Sequence, residues 1–234
     1  MANSYKRIDA HLSSLGYCTR SEAKRFLRIY ELCINDKRVF DPSTKAYHDD
    51  ITINKEPIDP ETITVLLNKP AGFICSHNDA GSLIYALIPN RWNRRNPKIS
   101  TIGRLDVDTT GAILLTDDGA LNHKLSSPKS DVLKIYEATL AVPLKGDEVQ
   151  IFASGELMLN GEKKPLLPAV LEVISPTQVR LEICEGKYHQ VKRMFGAVGN
   201  RVLTLHRVKF DTFDVEDLKE GTYKFVSYEK KVGF

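Results

Sequence analysis

The sequence predicts an α+β chain: a small N-terminal α/β-module of two helices on short strands, then a larger, mostly antiparallel sheet domain with flanking helices. Three observations lead there. Helical spacing is confined to short stretches before residue 31 and after residue 189, strand-like alternation recurs between residues 134 and 183, and a polar, proline-rich break separates two apolar-patterned regions. The break holds Pro57, Asp59, Pro60 and Glu61, so we expect domains at 1–58 and 62–234. This order of elements does not fit a doubly wound nucleotide fold, and neither common glycine-rich phosphate loop is present, so no ATP, NAD or other cofactor is expected.

Ile8, Leu12 and Leu15 follow helical spacing and set the first helix. After Gly16, Thr19-Arg20-Ser21-Glu22 fits a capping box, with Thr19 as N-cap and Glu22 reaching back. The helix it opens has an apolar face of Ala23, Phe26, Leu27 and Tyr30, packed on strands at Leu32–Ile34 and Ile51–Ile53, while Arg20, Lys24 and Arg28 line the opposite side as a basic ridge.

In the second region, residues 103–119 read GRLDVDTTGAILLTDDG. Gly103 and Gly111 allow the backbone to fold tightly around Asp106, Ala112–Leu115 is a short apolar run suited to a buried strand, and Asp117-Asp118-Gly119 closes it with a turn. A carboxylate is thereby fixed to a rigid scaffold. Alone this loop leaves alternatives open: most such aspartates form turns, and Asp106, Asp108, Asp117 and Asp118 together could bind magnesium as in a metal-dependent nuclease. Alternation resumes at Lys134–Leu140 and on both sides of Pro176-Thr177, where Val179, Leu181 and Ile183 face a core and Arg180 and Glu182 point away. From His189 the pattern is helical, with Val191, Phe195 and Val198 on one face, Lys192 off that stripe, and Gly199-Asn200 as the stop.

Composition narrows the classes. A hydrophobic share of 42% and a charged share of 27%, no apolar run long enough to cross a bilayer and no signal peptide at Met1–Ser4 suit a cytoplasmic protein without a membrane partner. The four cysteines are far apart and the six histidines lack zinc-ligand spacing, so free thiols and no metal are expected. The net charge of +3 is mild, but it is unevenly placed. Lys187, Lys192, Arg193, Arg201, Arg207 and Lys209 share one acid-free stretch, and Arg91, Arg94, Arg95, Lys98 and Arg104 form a second, as suits a phosphate backbone.

The Gly103–Asp106 loop resembles the signature loop of pseudouridine synthases of the RsuA family, and three further segments match that family in its order. They are Leu67-Asn68-Lys69-Pro70-Ala71-Gly72-Phe73-Ile74-Cys75-Ser76, Lys134-Ile135-Tyr136 and Glu185-Gly186-Lys187-Tyr188-His189-Gln190-Val191-Lys192-Arg193-Met194. Before the break, Arg7-Ile8-Asp9, Gly16, Thr19-Arg20 and Ala23 resemble an S4 RNA-binding domain, with Tyr30 where that pattern has Gly and Asn35-Asp36 where it has Asn-Gly. The resemblance spans nearly the whole chain. It implies isomerisation of a uridine to pseudouridine after the nucleotide leaves its stack. Asp106 would be the nucleophile, Lys192 its fixed cation, and Tyr136 the platform for the base. Because Lys is a point charge where many relatives place Arg, a looser ion pair is expected.

For Asp108 the sequence offers no partner. Arg104, Arg7, Arg20, Lys24, Arg28, Lys69, Lys187, His189 and Arg193 are the expected RNA contacts. Pro168–Arg180 and Tyr188–Met194 lean toward the small-subunit branch, hence 16S ribosomal RNA or a small-subunit assembly intermediate as partner of a monomer. A synthase acting on large-subunit 23S RNA, or a non-catalytic S4-type RNA binder, are the alternatives.

Overall fold

The structure, a computed structural model, describes residues 3–127 and 130–228. The chain forms two compact units. The first runs to Thr64 and takes in Ile88–Ser100 and Thr116–Gly119, while the second holds Val65–Leu87, Thr101–Leu115 and the chain from Ala120 onward.

In the first unit, β1 (Tyr5–Arg7), α1 (Ile8–Ser14), α2 (Ala23–Ile29), β2 (Leu32–Ile34), β3 (Lys37–Arg38), β4 (Lys45–Tyr47), β5 (Ile51–Ile53) and β6 (Glu56–Pro57) follow in order. Strand β1 pairs antiparallel with β4, and the other four form a sheet of order β3-β2-β5-β6. Ile8, Leu12, Leu15, Ala23, Leu27, Leu32 and Ile51 close the core between helices and strands, as the spacing predicts. The capping box bonds form: Glu22 Oε2 accepts from Thr19 N at 2.9 Å and Thr19 Oγ1 from Glu22 N at 3.3 Å, but they close a turn, and the regular helix starts at Ala23 with Glu22 in the cap position, three residues after the start that a Thr19 N-cap implies. Tyr30 sits at the rim of the apolar face: it is exposed, its ring 4.4 Å from that of Phe26, with an extended backbone at φ −106° that asks for no glycine. Asn35-Asp36 does require one of the few residues that tolerate positive φ (47° and 63°), and it makes the tight β2–β3 turn.

The polar break is not a loose linker. Asp59 accepts from Arg91 Nε and Nη2 (2.9 and 2.6 Å) and from Trp92 Nε1 (2.8 Å). Buried Arg95 donates to Asp117 Oδ2 at 2.7 Å and to the carbonyls of Pro60 and Glu61. These bonds draw residues 88–100 and 116–119 into the first unit, which is therefore larger than residues 1–58. They also remove Arg95 from any basic surface, since it is a buried structural cation already matched by Asp117.

In the second unit, β7 (Thr64–Lys69), β8 (Ser100–Ile102), β9 (Thr110–Thr116), α3 (Gly119–Ser126), β10 (Lys134–Leu140), α4 (Glu148–Ala153), β11 (Val170–Ser175), β12 (Gln178–Ile183), α5 (Gln190–Ala197), β13 (Val202–Phe210), β14 (Phe213–Asp214) and β15 (Tyr223–Phe225) build one nine-stranded sheet and its helices. The path is β11-β12-β10-β13-β9-β7-β15, with β14 on β13 and β8 on β9. The pairings of β10 with β12 and β13, of β11 with β12 and of β15 with β7 are antiparallel; β13 meets β9 in parallel. Val179, Leu181 and Ile183 are buried on β12 as the alternation predicts, and Arg180 turns to Glu137 and Glu172. Ala112–Leu115 is wholly buried, as a central strand requires, but the expected turn after it is a bend that opens α3 at Gly119. Phe152 of α4 meets Phe195 of α5 edge to face at 5.2 Å. Helix α5 ends as read, with Gly199 at φ 80° and Asn200 N donating to Phe195 O at 2.9 Å.

The tightest crossing lies where β9 meets β13. Gly111 has φ 106°, and a Cβ there would sit 2.2 Å from the Arg207 carbonyl oxygen. Only glycine lets the strand that follows the Asp106 loop approach β13. Gly111→Ala is expected to cost roughly 2–4 kcal/mol from backbone strain and overpacking together. Urea unfolding checks this, and a cost below about 1 kcal/mol would mean that the strands separate easily.

Candidate active site

The loop between β8 and β9 carries the acid. Gly103 at φ 70° and Gly111 bracket it, and inside it the ammonium of Lys69, at the end of β7, is fully buried. Lys69 Nζ donates to the carbonyls of Pro70 (3.0 Å), Asp106 (3.1 Å), Val107 (3.2 Å) and Thr109 (2.8 Å). Burial pushes its pKa down, opposed by Cys75, Asp108 and Asp106. Lys69 is thus no RNA contact. An ammonium enclosed by four carbonyls has no donor left for a phosphate, and its work is to shape the loop.

On that loop Asp106 keeps a partly open carboxylate, and α5 supplies its partners. Lys192 Nζ lies 3.0 Å from Asp106 Oδ2, and His189 Nε2 lies 3.3 Å from Oδ1. Lys192 also donates to Asp108 Oδ1 at 2.6 Å, so the residue without a partner in the sequence proves to share the site's cation. Partial burial works against the Lys192 charge, but hydrogen bonds to Asp108 and Asp106 outweigh it and hold the pKa above the ordinary lysine value. The same bond from Lys192 lowers the pKa of Asp108. The expected looseness of a lysine pair is offset by this second carboxylate.

His189 reaches Asp106 from a left-handed backbone (φ 46°, ψ 37°) just ahead of α5. That conformation is secured by Gln190, whose buried side chain accepts from Lys187 N at 2.8 Å and donates to Glu185 Oε1 at 3.1 Å. The exposed Tyr188 ring stacks on the imidazole at 3.9 Å between centroids. Arg193, expected at the RNA, instead donates to Glu162, Asn160 O and Tyr188 O and fastens the 160–162 segment to the start of α5. Lys187 stays exposed, 3.7 Å from Glu162, and Arg104 is exposed two residues before Asp106.

Tyr136 lies buried on β10, tied to the loop's outgoing strand through Arg207. Arg207 Nε donates to Ala112 O at 2.7 Å, and Nη1 stands 3.4 Å from Tyr136 Oη. Like Arg95, Arg207 belonged to an acid-free stretch that read as phosphate-binding surface; at 2% exposure it is interior instead. A basic stretch on a strand alternates between surface and core, which charge counting does not register.

In the first unit Arg20, Lys24 and Arg28 are exposed along α2 and the turn before it. Arg7 is exposed too, but it pairs with Asp9 through Nε and Nη2 (3.1 and 2.8 Å), and Arg20 touches the same carboxylate at 3.4 Å.

One aspartate is thus held between a lysine and a histidine at the start of α5, on the loop that leads into the central strand β9. A family model described as RNA pseudouridylate synthase matches residues 63–197, and the chain belongs to that family. Its relatives include a ribosomal small subunit pseudouridine synthase A from Pasteurella multocida (strain Pm70), 39% identical over 233 residues, covering 97% of this chain and 99% of the relative. The protein of that name from Escherichia coli (strain K12) is 46% identical over 169 residues, 70% of this chain and 71% of that one. A crystal structure of a pseudouridylate synthase superposes with a TM-score of 0.66 at 39% identity, covering 95% of this chain and 96% of that chain.

Lys134 begins the Lys134-Ile135-Tyr136 segment, and burial, with Arg207 adding to it, pushes its pKa down to about 8 from the usual 10.5. The unfolded chain therefore holds a proton that the fold has released between these two values. Stability then rises with pH from about 8 to about 10.5, and the full penalty persists below pH 8. The stability difference between wild type and Lys134→Met should move in favour of wild type across that window. A difference constant with pH would show that Lys134 is not desolvated.

Proposed function

We propose that the chain isomerises a specific uridine of small-subunit 16S ribosomal RNA to pseudouridine without a cofactor. One observation carries the chemistry: Asp106, on a loop set by Lys69, has both carboxylate oxygens facing cationic or donor groups of α5 while remaining accessible. The names of the relatives at 39% and 46% identity support the small subunit as target.

In this reading the target nucleotide is flipped out of its stack, and Asp106 attacks ribose C1′ as the C1′–N1 bond breaks, its electron pair leaving with the base. Lys192 pairs with the Asp106 carboxylate until then. The uracil anion turns against Tyr136, C5 displaces Asp106 from C1′, and the C5 proton is lost as N1 gains one. Nothing is consumed. Residues 1–58 act as an S4-like RNA-binding domain through Arg7, Arg20, Lys24 and Arg28, and 62–234 as the catalytic domain, with Arg104, Lys187 and His189 at the RNA. The protein works as a monomer in the cytoplasm.

Tritium release from C5-labelled RNA tests the chemistry. Asp106→Asn should abolish turnover and leave RNA affinity within about 3-fold, since a nucleophile contributes little to ground-state binding. Substantial residual turnover would remove Asp106 from that role, and release from large-subunit RNA alone would move the target.

Charge reversal of Arg20, Lys24 and Arg28 should weaken RNA binding and flatten its dependence on salt, because counterion release follows the number of phosphates neutralised. The slope should fall by up to about 3, less where Asp9 already screens Arg20. An unchanged slope would take α2 out of the interface.

A further inference from the structure

Arg207 is enclosed by protein, yet it has no carboxylate partner among the described residues. Its Nε is satisfied by Ala112 O, its Nη1 reaches Tyr136 Oη, and its Nη2 makes no hydrogen bond. The ammonium groups of Lys69 and Lys134, of its own sign, lie close enough to interact, as does the Cys75 thiol. Such a charge is unfavourable to bury without a carboxylate, and besides Ala112 O its neighbours are the rings of Phe210 at 4.9 Å and Tyr136 at 5.9 Å. A neutral donor would satisfy Ala112 O, and the crossing of β9 and β13 uses only the backbone of residue 207. Arg95 is the contrast, a buried guanidinium matched by Asp117.

We propose that Arg207 is a positioning residue for the isomerisation, holding the hydroxyl of Tyr136 so that it donates to the uracil ring while that ring is negatively charged. This rests on the reading that Tyr136 carries the base. A guanidinium can only donate, so its contact with Tyr136 takes a lone pair of the phenol oxygen and leaves the phenol hydrogen for another acceptor. When the C1′–N1 bond breaks, its electron pair spreads over N1, C5 and the two ring oxygens. It stays there until C5 bonds to C1′ and the C5 proton departs. A phenol turned by Arg207 toward a ring oxygen stabilises this anion more than the neutral nucleotide, so its effect falls on turnover and not on binding. The separation of 3.4 Å is the long end of a hydrogen bond, as suits a contact that tightens when charge develops beyond it. The crossing at Gly111 ties this arrangement to the strand that leaves the Asp106 loop.

A double-mutant cycle on the full chain decides it, reading tritium release at saturating small-subunit RNA for wild type, Arg207→Gln, Tyr136→Phe and the double variant. Arg207→Gln should lower kcat at least about 10-fold with KM within about 3-fold. The double variant should be no slower than the slower single, because both remove one oriented donor. Arg207→Lys, which keeps the charge, should recover part of the rate. If Arg207→Gln is not obtained folded, the same cycle is run with Arg207→Lys, whose single head group cannot serve Ala112 O and Tyr136 Oη together. Multiplicative losses, or wild-type kcat in an Arg207 variant while Tyr136→Phe is slow, would overturn the proposal and leave the isomerase reading intact. Wild-type turnover in Tyr136→Phe would overturn it together with the role of Tyr136, and no release by the wild type would overturn the isomerase reading itself.

Discussion

The site depends on one buried charge. An ammonium inside a protein is tolerated when acceptors surround it, and Lys69 gathers four backbone carbonyls, three of them from residues 106–109. A loop whose carbonyls converge on one point has little freedom, so the Asp106 side chain starts from a fixed backbone. Because those acceptors are peptide oxygens and not carboxylates, Lys69 leaves both nearby aspartates free to pair with α5. Had Asp106 itself been the counter-ion of Lys69, it would have been buried and neutralised; its side chain is instead 26% exposed.

The fold brings the rest to that loop through short sequence devices. Gly111 lets β9 lie against β13, and Arg207 spans from β13 to Ala112 on one side and Tyr136 on the other. At the opposite end of the sequence order, Gln190 fixes the turn that throws His189 into a left-handed backbone at the start of α5, one helical turn before Lys192. Neither device is large. Each sets the direction of one functional side chain by satisfying backbone groups that would otherwise be unpaired.

What the sequence disclosed follows from this. Period and capping chemistry are local, so the β11–β12 hairpin, the Thr19–Glu22 box and the end of α5 at Gly199-Asn200 were readable residue by residue. The pairing of Asp106 with Lys192 was readable only through resemblance, since 86 residues separate them and no pattern links them. The directions of cations were hidden. Lys69, Arg95 and Arg207 look like surface charge in a sequence and are all buried, because their partners are backbone carbonyls, a remote aspartate, or a carbonyl and aromatic side chains. The polar break at residues 57–61 looked like a linker for the same reason: the side chains that bind it, Arg91, Trp92 and Arg95, lie some thirty residues on.

Lysine at position 192 is better understood with Asp108 in view. A guanidinium presents parallel donors in a plane and suits one carboxylate held bidentately, whereas an ammonium has three diverging donors and can serve two carboxylates at once. Lys192 does so, at 3.0 Å to Asp106 and 2.6 Å to Asp108. The shorter contact goes to Asp108, which holds the head group while Asp106 touches it through one oxygen. In the proposed reaction Asp106 would give up its charge to bond with C1′, and the lysine would not be stranded, because Asp108 still pairs with it. In this chain, then, the point charge is not a weaker substitute for a fork, because the loop supplies a second acid to steady it.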